Sequence, residues 1–131
     1  MILFDSHSHI DDNCYDNDLQ DIIERAQNEN VRGIMIVGID INRSLKSIKI
    51  ANAYKNIITS VGFHPHDAKM CSKESLDTLI RLAQDNLCVK AWGEIGLDFN
   101  RMFSPSKDQE DCFVKQLEIA GRLDLPLIFH E

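Results

Sequence analysis

The apolar positions of this 131-residue chain fall into two patterns that alternate along its whole length. Ile2-Leu3-Phe4 is a short apolar run leading into Asp5. Leu19, Ile22, Ile23 and Ala26 then recur at the spacing of one helix face, with Asp16 or Asp18 in position to cap its start. Val31 to Ile39 is almost continuously apolar, the pattern of a strand buried on both faces. Leu45, Ile48, Ala51 and Tyr54 predict a second helix, and Ile57 to Phe63 a third strand. Leu76, Leu79, Ile80 and Ala83 predict a third helix, and Val89 to Ile95 a fourth strand. A fourth helix carries Phe113, Leu117 and Ala120 on one face, widened by Cys112, Ile119 and Leu123. Ser106 and Gln109 stand at capping-box spacing at its start. Pro126 opens a fifth strand, Leu127-Ile128-Phe129, which ends at His130.

Strand–helix alternation of this regularity implies a parallel sheet with right-handed crossovers. The expected fold is α/β, a partial (β/α)8 TIM barrel with about five parallel strands and four helices. Residues 1–131 are expected to form a single incomplete domain, because nothing in the sequence reads as a linker or a low-complexity segment. A complete barrel takes about 250 residues, so its C-terminal strands are expected to be absent from this sequence.

A formal net charge of -7 argues against a chain that coats nucleic acid with lysine and arginine. A phosphate-bearing substrate would have to be held locally, by bound cations or a few basic residues. No run is long and apolar enough to span a bilayer. The opening Met1-Ile2-Leu3-Phe4-Asp5 lacks the basic stretch of a signal peptide, so the expected address is the cytoplasm, with no membrane partner. Cys14, Cys71, Cys88 and Cys112 are scattered, with no C-x-x-C pair, and read as reduced packing thiols, Cys112 buried on its helix.

The chemistry sits where the strands should end. His7 and His9 are two apart at the end of the first strand, so their imidazoles share a face and can meet on one ion; Asp5 has the same parity and could orient a ligand. The plain alternative is a pair of histidines in a polar loop. Glu94 shares a face of the fourth strand with Trp92 and Gly96. A carboxylate on an apolar strand is costly to bury unless it is paired or metal-bound, and a carboxylate, unlike a histidine, can bridge two cations. An ion pair with Lys90 or Arg101 is the alternative. His130 is a fourth polar tip after two large apolar residues. His64 and His66 bracket Pro65, and either substrate-phosphate contact, metal adjacency or local loop hydrogen bonds would account for them. Asp98 is placed to orient Glu94 or a histidine, and Arg101 to clamp a phosphate, unless the two simply pair with each other. The donors are nitrogen and oxygen without thiolate, which suits Mg, Mn or Zn alike. Two adjacent divalent ions would activate water and clamp the attacking and leaving oxygens of a phosphoester.

These motifs resemble the TatD family of metal-dependent deoxyribonucleases, within the amidohydrolase-like TIM barrels. The likeness rests on Phe4-Asp5-Ser6-His7-Ser8-His9, Gly62-Phe63-His64-Pro65-His66, Gly93-Glu94-Ile95-Gly96-Leu97-Asp98-Phe99 and Leu125-Pro126-Leu127-Ile128-Phe129-His130, in that order. It includes the Asn100-Arg101 and Phe103-Ser104 segment. The resemblance implies two divalent metal ions, one on His7 and His9, one on His130, with Glu94 bridging as the catalytic carboxylate. It implies hydrolysis of DNA phosphodiesters, with DNA as the partner. Family members continue for three more strands that bring a further metal-binding histidine and a water-activating aspartate; neither is in this sequence. Many members also have cysteine or serine followed by arginine where Glu131 stands. Two other readings remain: a phosphoesterase of the polymerase-and-histidinol-phosphatase type, which shares the D-x-H-x-H opening, and a non-catalytic chain. The latter would self-associate, or meet a complementing fragment, through exposed sheet edges.

Overall fold

A computed structural model describes residues 1–131. Five parallel strands form one sheet in the order β1 (Leu3–Ser8), β2 (Val31–Ile36), β3 (Ile57–Val61), β4 (Val89–Gly96), β5 (Leu127–His130). Four α-helices connect them: α1 (Leu19–Asn28), α2 (Ile41–Ala53), α3 (Lys73–Asp85) and α4 (Ser106–Leu123). Two 3-10 segments, Asn13–Tyr15 and Pro65–Met70, interrupt the connections after β1 and β3. Strand order equals chain order, as successive βα units in a barrel require, and the architecture is that of a partial TIM barrel.

The predicted elements form where the periodicity places them, and their differences have physical causes. Asp18 takes the N-cap position of α1 but makes no side-chain cap, while Asp16 pairs with Lys46 of α2. β2 stops at Ile36 rather than continuing to Ile39 because Val37, Gly38 and Ile39 serve other partners. Val37 N–H donates to Ser8 O (2.9 Å), Gly38 O accepts from Glu94 N–H (2.7 Å), and Ile39 O accepts from His64 N–H (2.9 Å). This short segment therefore ties together the tips of β1, β3 and β4.

On α2, Leu45 is exposed, and the buried face is Ser44, Ser47, Ile48, Ile50 and Ala51. Small side chains are needed there because the helix lies close over the tip of β2. The Ser44 hydroxyl is within 2.7 Å of where a side chain on Gly38 would sit.

The expected capping box on α4 does not form. Pro105 occupies its N-cap, the Ser106 hydroxyl meets the Met102 sulfur, and Gln109 is buried with its amide turned to the preceding loop. A second buried amide, Gln116, replaces the ladder beyond β3. Its Oε1 accepts from Phe63 N–H (2.7 Å) and the Trp92 indole N–H (3.2 Å), and its Nε2 donates to Phe63 O (3.0 Å).

Two apolar clusters lie between the sheet and its helices, one around Trp92, Leu79 and Ile119, the other around Ile23, Ile34 and Ile36. Cys112 belongs to the first; its contact with the Cys71 thiol, and then burial, push its own thiol up, which keeps it protonated. All four cysteines are unbridged. No helix is long and apolar enough to cross a membrane.

Candidate metal centre

Glu94 is held at the tip of β4 by glycines that no other residue can replace. Gly93 and Gly96 have φ of 145° and 155°, and a β-carbon on either would run into the backbone of β5. The Gly93–Glu94 peptide is cis. So anchored, the carboxylate is buried, and no lysine or arginine pairs with it; its neighbours are imidazoles. In a flat sheet β1 would stand about 14 Å from β4, three strand spacings away. Curvature closes that distance. His7 Nε2 is 3.4 Å and His9 Nε2 3.8 Å from Glu94 Oε2. The other oxygen, Oε1, is 3.0 Å from His130 Nδ1 and 3.9 Å from His64 Nε2.

Donor atoms fall into two groups, each within 4.8 Å: His7, His9 and Glu94, and His64, His66 and His130. The second group is bound internally. His66 N–H donates to His64 Nδ1 (3.1 Å), so a neutral His64 carries its proton on Nε2, 3.0 Å from His130 Nδ1. His130 Nδ1 then has two claimants. It cannot accept the His64 proton and also donate to Glu94 Oε1 at 3.0 Å. His130 and Glu94 would hold a cation there: it would take the imidazole lone pair and offset the carboxylate charge, and the His64 N–H would be left free as a donor. The residues present fit a bound metal at that position, and the nitrogen-oxygen donor set at His7, His9 and Glu94 fits one equally.

Asp98 supports the group from the loop after β4. Its Oδ2 accepts from His66 Nε2 (2.6 Å) and lies 3.5 Å from His130 Nε2. Its Oδ1 accepts the N–H groups of Asn100 (3.1 Å) and Arg101 (2.8 Å). The Arg101 amide and His66 together hold the Asp98 carboxyl well below the usual carboxylate range. The Asp98–Arg101 contact is thus through backbone, and the Arg101 side chain is exposed. Asp5 accepts from His7 N–H (3.1 Å), steadying its backbone rather than its ring.

Burial pushes His64 down to about 4 against Glu94, which pulls the other way. The sign follows. As pH falls through about 6.5 the unfolded chain binds a proton on this residue while the folded chain does not. Stability from His64 is therefore complete above about 6.5 and is lost progressively towards pH 4. An NMR titration of the metal-free chain should give a His64 ring midpoint near 4; one near 6.5 would show an open, solvated ring.

All five histidines, with Glu94, Asp98 and Arg101, line one cavity of about 730 Å³ at this end of the sheet. Only Ile39, Leu97 and Phe99 give it apolar wall. Asp12, Arg43 and Asp67 also line it without belonging to any of the motifs, as does Phe99, the last residue of the β4 motif. Asp12 and Phe99 follow soon after β1 and β4, as the histidines follow their strands. Arg43 and Asp67 instead blend into the polar start of a helical segment, where charge is ordinary.

Known proteins similar to this chain place it in a family. The chain is 37% identical over 128 residues to the 3'-5' ssDNA/RNA exonuclease TatD of Salmonella typhimurium, covering 98% of this chain and 49% of that protein. It is 36% identical over 129 residues to the uncharacterized metal-dependent hydrolase YabD of Bacillus subtilis, covering 98% and 50%. The chain thus spans about half the length of the curated relatives it matches. Crystal structures of YJJV, a TatD homolog from Escherichia coli, and of a TatD family hydrolase from Entamoeba histolytica superpose with TM-scores of 0.89 and 0.91 at 28% and 27% identity. They align over 98% and 100% of this chain and 50% of each of theirs. Residues 4–131 match the TatD related DNase family, and the chain belongs to it.

Proposed function

We propose that this chain provides part of a two-cation site that hydrolyses DNA phosphodiester bonds, within an incomplete TIM-barrel domain spanning residues 1–131. One observation carries the reading: the two oxygens of a single buried carboxylate, Glu94, face two different sets of imidazoles. His7 and His9 would hold one divalent ion, His130 the other, and Glu94 both; Mg, Mn or Zn would each suit the donors. Such ions, when bound, neutralise phosphoryl charge and lower the pKa of water. The chain's own groups do the rest. The Nε2–H of His64 donates to a phosphate oxygen at the cavity floor. Asp98 fixes the His66 ring and steadies His130. The exposed Arg101 guanidinium takes a neighbouring phosphate along the strand. The relatives' names, an exonuclease and a metal-dependent hydrolase, support this assignment. Leu3 and Phe4 of β1 and Phe129 of β5 are exposed at the two sheet edges, where further strands, a second copy or a complementing segment would pair.

The test uses a 5'-labelled single-stranded oligonucleotide with Mg, Mn or Zn. The chain is assayed beside a chimera that appends the remaining half of a relative's barrel. Chelator-sensitive shortening of the oligonucleotide by the chimera is the expected result. Turnover of small phosphomonoesters with the oligonucleotide left intact would instead favour the phosphatase-type reading.

A further inference from the structure

The connection between β4 and α4 exposes three large apolar side chains beside the cavity: Phe99 (51%), Met102 (45%) and Phe103 (57%). Phe99 lines the cavity, and Phe103 stands edge-on to His66, ring centroids 4.7 Å apart and planes at 82°. Apolar loops usually fold their side chains inward, and this one is prevented from doing so. Asp98 Oδ1 accepts two of its N–H groups. Gln109 reaches up from α4 to the N–H of Asp98 (2.7 Å) and to the carbonyls of Asp98 (3.1 Å) and Ser104 (2.8 Å). The Ser104 hydroxyl donates to His66 O (2.7 Å), and Lys69 Nζ donates to Phe103 O (3.1 Å). Met102, at φ 50°, turns the chain between the two phenylalanines. The backbone is thus pinned at both ends to the histidine cluster while its aromatic side chains stay in solvent. Arg101, between them in sequence, lines the same cavity.

We propose that this loop is a nucleobase-stacking platform. Phe99 takes the face of the base next to the bond being cut, while Arg101 contacts the backbone phosphate. The occupant follows from the chemistry. An exposed aromatic ring in the wall of a cavity whose residues fit cations, with the Arg101 guanidinium lining the same cavity, matches a ligand with an aromatic face on an anionic backbone. A base inside a duplex has both faces covered by its neighbours, so stacking on Phe99 needs an unpaired base, in keeping with the single-stranded substrates in the name of the Salmonella relative. The platform tolerates any base, since each has a π-face. The inference rests on the phosphodiesterase reading of the site and adds to it what the loop recognises.

The sequence has one tryptophan, Trp92, which is wholly buried in the core, so Phe99→Trp places a reporter on the loop against a constant background. The Phe99→Trp chain is titrated, with Mg present, with a short phosphorothioate single strand, its base-free deoxyribose-phosphate counterpart and the duplex. Quenching by the single strand alone is expected. By anisotropy, the unmodified chain should bind that strand roughly 10- to 100-fold more tightly than the base-free one. Phe99→Ala should erase the difference without weakening base-free binding, and Phe99→Tyr should keep it. Equal affinity for base-bearing and base-free strands, with no quenching, would overturn the platform and leave the phosphodiesterase reading standing. Binding of neither strand would overturn both.

Discussion

Glu94→Gln should lower affinity for divalent cations by more than about 100-fold, because removing a group that merely supports a metal ligand already costs roughly 10- to 100-fold. The carboxylate faces two sets of imidazoles at once. Its Oε2 faces His7 and His9, and its Oε1 faces His130. An amide of the same shape can offer its oxygen to only one side and must turn an NH2 group, which only donates, towards the other. The charge would be lost as well, and with it the anion that would offset two bound dications in a half-enclosed cavity. His66→Ala removes an imidazole from the same cluster, yet its Nε2 is committed to Asp98, so its effect on binding should be much smaller. Calorimetric titration of each variant with Mn decides the order. A larger loss in His66→Ala than in Glu94→Gln would mean that the ions sit among the histidines after β3 and on β5, and the bridging role would be wrong.

Why the residues of this centre stood out in the sequence, and others did not, follows from what local pattern encodes. His7, His9, Glu94 and His130 each lie at or near the end of an apolar run, and period-two alternation fixes which face each one takes. The curvature that brings β1 to β4 is a property of the whole sheet, so no window of the sequence states that His7 will meet Glu94. Buried polar groups were harder to read for the opposite reason. Gln109 and Gln116 look like solvated positions on an amphipathic helix. Their burial depends on loops that need an amide at those points, one after β4 and one after β3. Leu45 and Ser44 exchange the places that hydrophobicity predicts, because close approach to Gly38 favours a small side chain over an apolar one. Strand ends erred in the same direction: Val37 to Ile39 are apolar enough for a ladder, but their backbone groups are taken by the neighbouring tips.

Arg43→Ala should destabilise the chain by about 3–5 kcal/mol, the usual cost of leaving a buried charge without its partner. Asp11 is fully buried, two residues beyond His9, and its Oδ1 has no hydrogen-bond partner. Its Oδ2 accepts from Arg43 Nε, and Arg43 also reaches Asp12 Oδ2 at 3.2 Å. One guanidinium from the first turn of α2 therefore holds the loop that follows β1, and with it the end of the strand carrying His7 and His9. Arg43→Lys should lie between, because an ammonium cannot keep the forked contact to two carboxylates. Asp11→Ala combined with Arg43→Ala should recover part of the loss, since the unpaired buried anion, rather than the missing bond, is the main cost. Urea unfolding of the metal-free variants measures all three. A loss under about 1 kcal/mol in Arg43→Ala would put the pair in the range of exposed ion pairs. Asp11 would then have found water, and the β1 loop would be anchored by its packing alone. If the larger loss is found, the same variant should also bind Mn more weakly, because His9 would no longer be held two residues from a fixed point.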